Sequence, residues 1–487
     1  MTLTAALKIA QSSLFNVSQQ TSLTSRNISE ADNENYVKRQ ARVATTEYGA
    51  RVYSVGRAEV PALFRDSVNA LSDSAAQGVI ADTAGRLRTI VNGVDNQASP
   101  ATKLDALRQA LQVYSTDPSN TVLGGAAADA ARELATAINT ASQGIQDHRA
   151  RLDRDIASGV ARLGELLAQF EQVNTRVVEG TRMGRDVNDD LDQRDTLIKQ
   201  MSEFVSVSVM ERGDNDVVLF AGQGIMLFET VARDVTFEPK TAYAPGMTGN
   251  TLRIDGVPLV VGQGANTSAS GTLSAMIQAR DTMAGQAQAQ LDEVARGLVA
   301  AFAETDQTGG GAPDRAGLFT HAGGPAIPAA GTLAPGLSLT LSVNAAYDPL
   351  QGGDAARLRD GGANGPAYLA NASGGVAFAD NLIALIGRLD TPLATDAAAG
   401  IAGDKSVTDY ARASIGWIEG QRQTAERASE AKLALHQKLS GDYLEKTGVS
   451  VDEEMTKLIA LEQSYDASAR IMAVVGQMLD NLMAAVR

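Results

Sequence analysis

A chain of 487 residues is too long for one ordinary hydrophobic core, so three or more domains are expected. Hydrophobic residues make up 44% and charged residues 20%, but aromatics only 4% with a single tryptophan, Trp417, so Ala, Leu and Val must fill most cores. A formal net charge of -15 with no local Lys/Arg cluster opposes binding to nucleic acid or to an anionic membrane, and the lack of any cysteine removes disulfides, thiolate nucleophiles and sulfur-ligated metals together.

From the N-terminus, Leu3, Leu7, Ala10, Leu14, Val17, Thr21, Thr24 and Ile28 are spaced alternately by four and three residues, the seam of an amphipathic, coiled-coil-like helix. The same stretch lacks the basic, apolar and small-residue order of a Sec leader, and no run of about 18 apolar residues occurs further on, so neither a cleaved signal nor a membrane span is expected. From about Pro61 to Glu203 apolar positions such as Leu63, Val68, Leu71, Leu104, Leu107, Leu111, Leu163, Leu166, Leu167 and Phe170 predict long helices, with turns near Pro100 and across Asp117–Gly125. Between Phe204 and Val261 the period changes to two: Val205, Val207 and Val209 alternate with serines, Gly213–Asp216 makes a turn, and Val217–Phe220 returns as a strand.

Helical pattern resumes at about Thr272 and ends near Thr305. The stretch to about Gly403 is rich in Gly, Ala and Pro, with one expected strand at Leu337–Val343 and one helix at Phe378–Leu389, and reads as a loosely packed, surface-facing insertion. A long helix from Val407 to Leu444 follows. Gly448 then breaks the pattern, Ser450 with Glu453 forms a capping box, and Asp452, Glu453 and Glu454 sit at the positive end of the next helix dipole. The final helix repeats the seam of the first through Leu461, Tyr465, Ser468, Met472, Val475, Leu479, Leu482 and Val486.

These elements predict a fold that is mainly α with inserted β modules, nested and multi-domain. Residues 1–60 with 441–487 would form a coiled-coil-like terminal domain of paired N- and C-terminal helices; 61–203, 272–304 and 405–440 a long-helix bundle body; 204–271 a small antiparallel β domain; and 305–404 a variable insertion. Such nesting places the two termini side by side.

Nothing in the sequence proposes an enzyme, a cofactor or a metal. His148, His321 and His436 are the only histidines, and none lies within ligand spacing of another. The acidic run Asp186, Asp189, Asp190, Asp192 and Asp195 lacks the mid-loop glycine and closing glutamate of a calcium loop and reads as a solvated helix start. Gly262 and Gly264 are followed by Thr267 where a dinucleotide fold needs a third glycine, and Gly309–Gly311 precede no Lys-Ser or Lys-Thr. Paired carboxylates acting in space stay open on sequence grounds.

The terminal seams carry the functional reading. Ordering a stretch of this length costs on the order of 1–2 kcal/mol per residue in backbone entropy, while a well-filled seam position contributes at most about 1.5–3 kcal/mol. The terminal helices are therefore expected to gain order when neighbouring copies bury their remaining faces, with Leu3, Leu7, Leu14, Val17, Ile28, Leu461, Tyr465, Met472, Val475, Leu479, Leu482 and Val486 as the assembly interface.

Three motifs carry a resemblance. Asn27-Ile28-Ser29 with Tyr36 and Arg39-Gln40 resembles the Asn-Asn-Ile-Ser-Asn … Gly-Tyr-Thr-Arg-Gln block of the hook-associated protein 1 (FlgK) family of flagellar proteins, departing from it at Arg26, Glu30 and Asn35 and by one extra residue between Tyr36 and Arg39. Leu191-Asp192-Gln193-Arg194-Asp195, leading through Leu197 to the Val205–Val209 strand, is similar to that family's Leu-Asp-Gln-Arg-Asp helix. Gly448-Val449-Ser450-Val451-Asp452-Glu453-Glu454 is similar to its Gly-Val-Asn-Leu-Asp-Glu-Glu opening of the last helix. The resemblance implies a structural subunit of the bacterial flagellum at the hook–filament junction, exported by the flagellar type III apparatus and located outside the cell. It also implies as partners further copies of the chain in a tubular helical assembly, the hook protein, the second hook–filament junction protein, and an export chaperone on the C-terminal helix. Another axial protein, flagellin-like or the second junction protein, and a cytosolic helical scaffold remain the alternative readings of the same pattern.

Overall fold

The computed structural model describes residues 3–47, 49–222 and 224–485. Helix α1 (Leu3–Ser29) leads into an antiparallel hairpin of β1 (Arg39–Thr46) and β2 (Gly49–Arg57), followed by helices α2 (Pro61–Asn92), α3 (Pro100–Thr116), α4 (Thr121–Arg182) and α5 (Asn188–Phe204). Strands β3 (Val207–Glu211), β4 (Val217–Ala221) and β5 (Ile225–Phe228) form one three-stranded sheet, and the short β6 (Val235–Thr236), β7 (Arg253–Ile254) and β8 (Val257–Pro258) another. Helices α6 (Thr272–Gln278) and α7 (Ala284–Ala301) join through a π-helical turn at Ala279–Met283. Then come β9 (Phe319–Thr320), α8 (Leu337–Thr340), β10 (Ser342–Val343), α9 (Arg357–Asp360), α10 (Asp380–Arg388) and finally the long α11 (Val407–Thr447) and α12 (Val451–Ala485). The chain is thus mainly α with small antiparallel sheets set between helices and with its first and last helices paired.

The chain forms two compact units, each drawn from separate stretches. The first comprises residues up to Ser74, Arg162–Val235 and Lys432 onward; the second comprises Ala75–Ala161 and Thr236–Ala431. The β3–β5 sheet therefore groups with the terminal helices, where the sequence pattern suggested a separate β domain over 204–271.

In the first unit, the alternation read over Val205–Phe220 becomes a regular ladder, Val207 opposite Ala221 and Glu211 opposite Val217. Its turn is made by Asp214 and Asn215 at positive φ, a conformation that short polar side chains tolerate. Phe170 of α4 meets Phe228 of β5 edge to face, with ring centroids 5.1 Å apart. The β1–β2 hairpin was not foreseen within the terminal segment. Its register slips between Arg42 and Val43, and β1 is mostly exposed, so it never shows a clean two-residue alternation.

In the second unit two apolar cores are continuous. One gathers Leu104, Leu107 and Leu111 of α3, Leu134 and Ile138 of α4, and Leu298 and Phe302 at the end of α7. The other joins Ile80 and Leu87 of α2, Ile145 of α4, Leu291 of α7 and Ile418 of α11, with alanines between. The 305–404 stretch departs from expectation, for it is packed rather than loose. Phe319, Leu337, Leu341, Leu358, Leu382 and Leu389 all lie in the first of these cores. Their irregular spacing carries no period, and carboxylates rather than regular elements hold the backbone. Glu304, for example, accepts from Tyr347 Oη at 2.7 Å, from the amides of Ala363 and Asn364 at 2.9 Å, and from Asn364 Nδ2 at 2.8 Å.

Two further local differences have clear causes. Leu337–Val343 is not one strand but a short helix followed by a two-residue strand, because the Asp292 carboxylate accepts the amides of Gly336 and Ser338 at 3.0 Å and caps a helical turn there. The turn expected over Asp117–Gly125 ends at Asn120, whose side chain accepts the Val122 amide, so α4 starts four residues before Gly125. Inside that helix a Cβ at Gly124 would approach the Tyr114 ring to 3.1 Å, so a larger residue there requires the ring to give way by a few tenths of an ångström.

Candidate assembly interface

Helices α1 and α12 pack along a seam whose buried residues recur at intervals of seven: Ala10, Val17 and Thr24 on one side, Leu461, Ser468 and Val475 on the other. Ser13 and Ser468 hydroxyls lie 2.7 Å apart across it. Small residues at the seam let the helices approach closely and limit how much apolar area the pair can bury by itself.

At the base of this pair a buried polar cluster ties four segments of the first unit together. Asn27, fully buried, donates from Nδ2 to the Arg39 carbonyl at 3.0 Å and to the Glu454 carboxylate at 3.1 Å, and accepts on Oδ1 from Tyr36 Oη at 2.8 Å and from the Arg39 amide at 3.0 Å. An asparagine suits this position because it supplies donors and an acceptor from one planar group. Arg39, also buried, donates to the Val37 carbonyl at 2.8 Å, to Asp192 at 2.6 and 3.3 Å and to Asp189 at 2.9 Å, with its guanidinium over the Tyr36 ring. Arg57 is held between Asp192, 3.2 Å from its Nε, and Asp195. Lys38 reaches Glu453 at 3.0 Å and Glu454 at 3.2 Å, while its amide donates to the Thr447 carbonyl at 2.7 Å at the end of α11.

The electrostatics follow from depth. Burial raises the Asp192 carboxyl above its ordinary value against the opposing hydrogen bond from Arg39 and the charge of Arg57. The more exposed Asp189 is lowered by its hydrogen bond to Arg26, 2.6 Å away. For Glu454 burial pulls upward, but the hydrogen bond from Asn27 and the charges of Lys457 and Lys38 hold the carboxyl below the usual range. Burial pushes the Tyr36 hydroxyl to about 12, so it stays protonated and donates to Asn27. No general base or nucleophile is poised here; the arrangement fixes the relative placement of α1, the hairpin, α5 and the start of α12.

The motif residues thus converge, though unequally. Asn27, Tyr36, Arg39, Asp192, Asp195 and Glu454 meet in the cluster, and Glu453 joins through Lys38. Gln193 faces outward and accepts from Arg176 at 2.7 Å; Arg194 is largely buried, its pKa lowered by desolvation, and donates to the Asn215 carbonyl. Gln40 takes part through its backbone in the β1–β2 ladder, Ser29 turns back to the Arg26 carbonyl, Ile28 is half-buried and Asp452 is exposed. Two sequence readings need correction. The acidic run at the start of α5 is only partly a solvated helix start: Asp186 and Asp189 are exposed, but Asp192 and Asp195 are turned inward to Arg39 and Arg57. The acidic trio opening α12 is not explained by the helix dipole alone, because Glu453 and Glu454 are partners of Lys38, and Glu454 is buried.

Among the expected interface residues, Val17, Leu461 and Val475 are buried within the chain; Leu3, Leu7, Leu14, Ile28, Met472 and Leu479 are half-buried; Tyr465 and Leu482 are exposed. Val486 lies outside the described residues. Sequence reasoning missed Arg57 and Lys38, and treated Arg26 only as a departure from a motif, although it forms a two-pronged ion pair with Asp189. The signal for all three was the excess of carboxylates on α5 and α12, whose buried members Asp192 and Glu454 required cations beside them.

Comparison with known proteins places this arrangement. The family model for the flagellar hook-associated protein FlgK helical domain matches residues 84–319, and that for the flagellar basal body rod FlgEFG protein C-terminal region matches residues 440–485. Flagellar hook-associated protein 1 of Bacillus subtilis (strain 168) is 21% identical over 503 aligned residues, covering 95% of this chain and 94% of that protein. The solved structure of the flagellar hook junction protein FlgK from Burkholderia pseudomallei superposes with a TM-score of 0.57 at 12% identity, over 78% of this chain and 99% of that one, and so shares the fold.

Proposed function

Because the chain belongs to the FlgK family of flagellar hook-associated proteins and is a structural component of the flagellum, we propose that it forms the hook–filament junction by self-assembly through its terminal helices. The observation that carries the assembly reading is an unsatisfied surface. The α1–α12 seam closes with small residues inside the chain, yet α12 still presents Tyr465, Ile471, Val474, Met478, Leu482 and Met483 to solvent. A monomer leaves that stripe in water, and a stack of copies covers it.

The junction position rests on different ground. The C-terminal match at 440–485 is to a rod-protein model, so the terminal segment alone does not separate one axial component from another. The match over residues 84–319 is specific to the hook-associated helical domain and favours the junction over flagellin or the second junction protein. In this reading, hook protein lies on one side of the chain and the second junction protein on the other. The chain travels outward through the flagellar export channel and functions outside the cell, with a chaperone masking the α12 stripe beforehand.

Two experiments test it. Electron microscopy of cells lacking the chain is expected to show hooks without filaments, and full-length filaments on those cells would end the junction reading. Leu479→Asp combined with Leu482→Asp is expected to abolish junction assembly and chaperone capture; Leu482 is exposed and Leu479 half-buried, so the fold of the remainder should survive.

A further inference from the structure

Of the three histidines His148 alone is buried, at 4% exposed, and neither of its ring nitrogens has a hydrogen-bond partner. A neutral imidazole carries one N–H and one acceptor, and a buried donor left unpaired is costly. The ring lies in the second unit, where α2 and α4 cross closely. A Cβ at Gly144, one turn before His148 on α4, would come to 2.8 Å from Ile90 Cγ2 on α2. Arg86 stands one turn before Ile90, and Arg151 follows His148 at helical spacing on the same face of α4. After burial, the charges of these two arginines are what lower the His148 pKa, so both guanidiniums stand near the ring.

Both arginines are exposed, and among the described residues neither has a hydrogen-bond or ion-pair partner. Helical partners are at hand, since Asp82 precedes Arg86 and Asp147 precedes Arg151 by one turn, and Asp155 follows Arg151 by one turn. Pairs at such spacing do close elsewhere in the chain, Arg162 with Glu165 at 2.9 Å and Lys438 with Asp442 at 3.1 Å. Here Asp147 accepts from Gln143 at 2.9 Å instead. Two free guanidiniums beside a buried, unpaired imidazole form a set of donors to which the chain supplies no acceptor.

We propose that Arg86, His148 and Arg151 form a binding site for a small tetrahedral oxyanion of the phosphate or sulfate type. The guanidiniums donate to it from α2 and from α4, and the imidazole N–H gives a third hydrogen bond. The neutral ring suffices, because the anion needs only the donor. A guanidinium fork matches two oxygens of one tetrahedral anion, which a chloride ion cannot reproduce. The site uses no residue of the terminal helices and does not depend on the junction reading.

With only three histidines in the chain, the imidazole signals in NMR spectra report the site directly, and the signal lost in His148→Leu assigns the ring. In the full chain at neutral pH, with ionic strength held constant by sodium chloride, inorganic phosphate is expected to move the His148 signal saturably and to leave those of His321 and His436 in place. Arg86→Gln and Arg151→Gln, both at exposed positions, are each expected to weaken binding about tenfold, the value of one charge-assisted hydrogen bond. Together they are expected to abolish it with helicity by circular dichroism unchanged; if the double variant loses helicity, the single variants decide. Methyl phosphate separates the two sources of this chemistry: weaker binding than phosphate assigns the free ion, and equal binding assigns an ester carried on a larger molecule. A His148 response that never saturates, that chloride alone reproduces, or that survives undiminished in the arginine variants would overturn the site.

Discussion

The two units solve the same problem of burial in opposite ways. In the second, the apolar residues of α2, α3, α4, α7 and α11 meet in two continuous cores, and buried ions such as Asp153 with Arg280 serve to anchor an irregular segment to a helix. In the first, a narrow apolar seam of Ala10, Val17, Leu461 and Val475 is supplemented at its base by polar contacts, Asn27 to Glu454 and Lys38 to Glu453 between the two ends and Arg39 to Asp192 of α5. Apolar side chains on α12 are meanwhile left facing water. Hydrophobic closure is non-directional and tolerates repacking, whereas a hydrogen-bonded ion cluster admits one geometry. The first unit therefore uses polar contacts to fix where its terminal helices stand and leaves an apolar stripe of α12 exposed, while the second gathers the apolar faces of its helices into two continuous cores.

The largest effect that should separate the units comes from Arg39→Ala. Removing a guanidinium that is 1% exposed leaves the buried Asp192 carboxylate with Arg57 as its one remaining cation and takes away the cation over Tyr36. Breaking such a buried pair from one side costs about 3–5 kcal/mol. Hydrogen exchange is expected to show lost protection in β1, β2 and the end of α1, with α3 and α7 unchanged. Equal loss in α7 would show that the polar cluster is not local to the first unit and would break the contrast.

A somewhat smaller effect probes the second unit from inside. His148 of α4 is buried, neither ring nitrogen has a hydrogen-bond partner, and desolvation together with the charges of Arg86 and Arg151 lowers its pKa to about 4. A histidine of ordinary pKa takes up a proton near pH 6.5 in the unfolded chain, while the folded unit refuses it until about pH 4. Stability should thus fall as pH drops from 6.5 toward 4 and show no further His148 contribution below that. The contribution is about 3 kcal/mol across the window. Unfolding of wild type and His148→Leu compared between pH 7 and pH 4.5 isolates it from the carboxylates, and parallel pH slopes for the two proteins would refute it.

How far the sequence could be read divides along the same line. The seam of α1 and α12, the β3–β4 ladder and the long helices were legible because each imposes a period on its own residues. Asn27, Arg39 and Asp192 were recognisable only by resemblance to a family, since their partners lie up to 427 residues away in the chain and no local rule pairs them. The hairpin escaped because its exposed strand and slipped register erase alternation. The 305–404 stretch looked loose because Gly, Ala and Pro dominate it, yet a few widely spaced Leu and Phe side chains suffice to seat it once Glu304 and Asp292 hold its backbone. The interface residues split for a related reason. A heptad shows which face of a helix is apolar, but not whether the partner is the other end of the same chain or a second molecule.

The junction between α11 and α12 offers the finest test of whether tertiary or local contacts place the last helix. A Cβ at Gly448 would lie 2.6 Å from the Leu444 carbonyl, so Gly448→Ala must shift backbone next to the Thr447 carbonyl that receives the Lys38 amide. A cost of about 1–3 kcal/mol is expected, with exchange protection lost at Lys38 as well as in the first turn of α12. Ser450→Ala should cost only about 0.5 kcal/mol, the low end for an N-cap. Its hydroxyl accepts the Glu453 amide at a long 3.4 Å, and the Glu453 carboxylate that would complete a capping box reaches Lys38 instead. Thermal unfolding followed by exchange at individual amides ranks the two variants. If Ser450→Ala proves the more damaging, local capping sets the start of α12 and the polar cluster merely follows it; the geometry of Glu454, held by Asn27 and Lys38 from the far end of the chain, requires the opposite order.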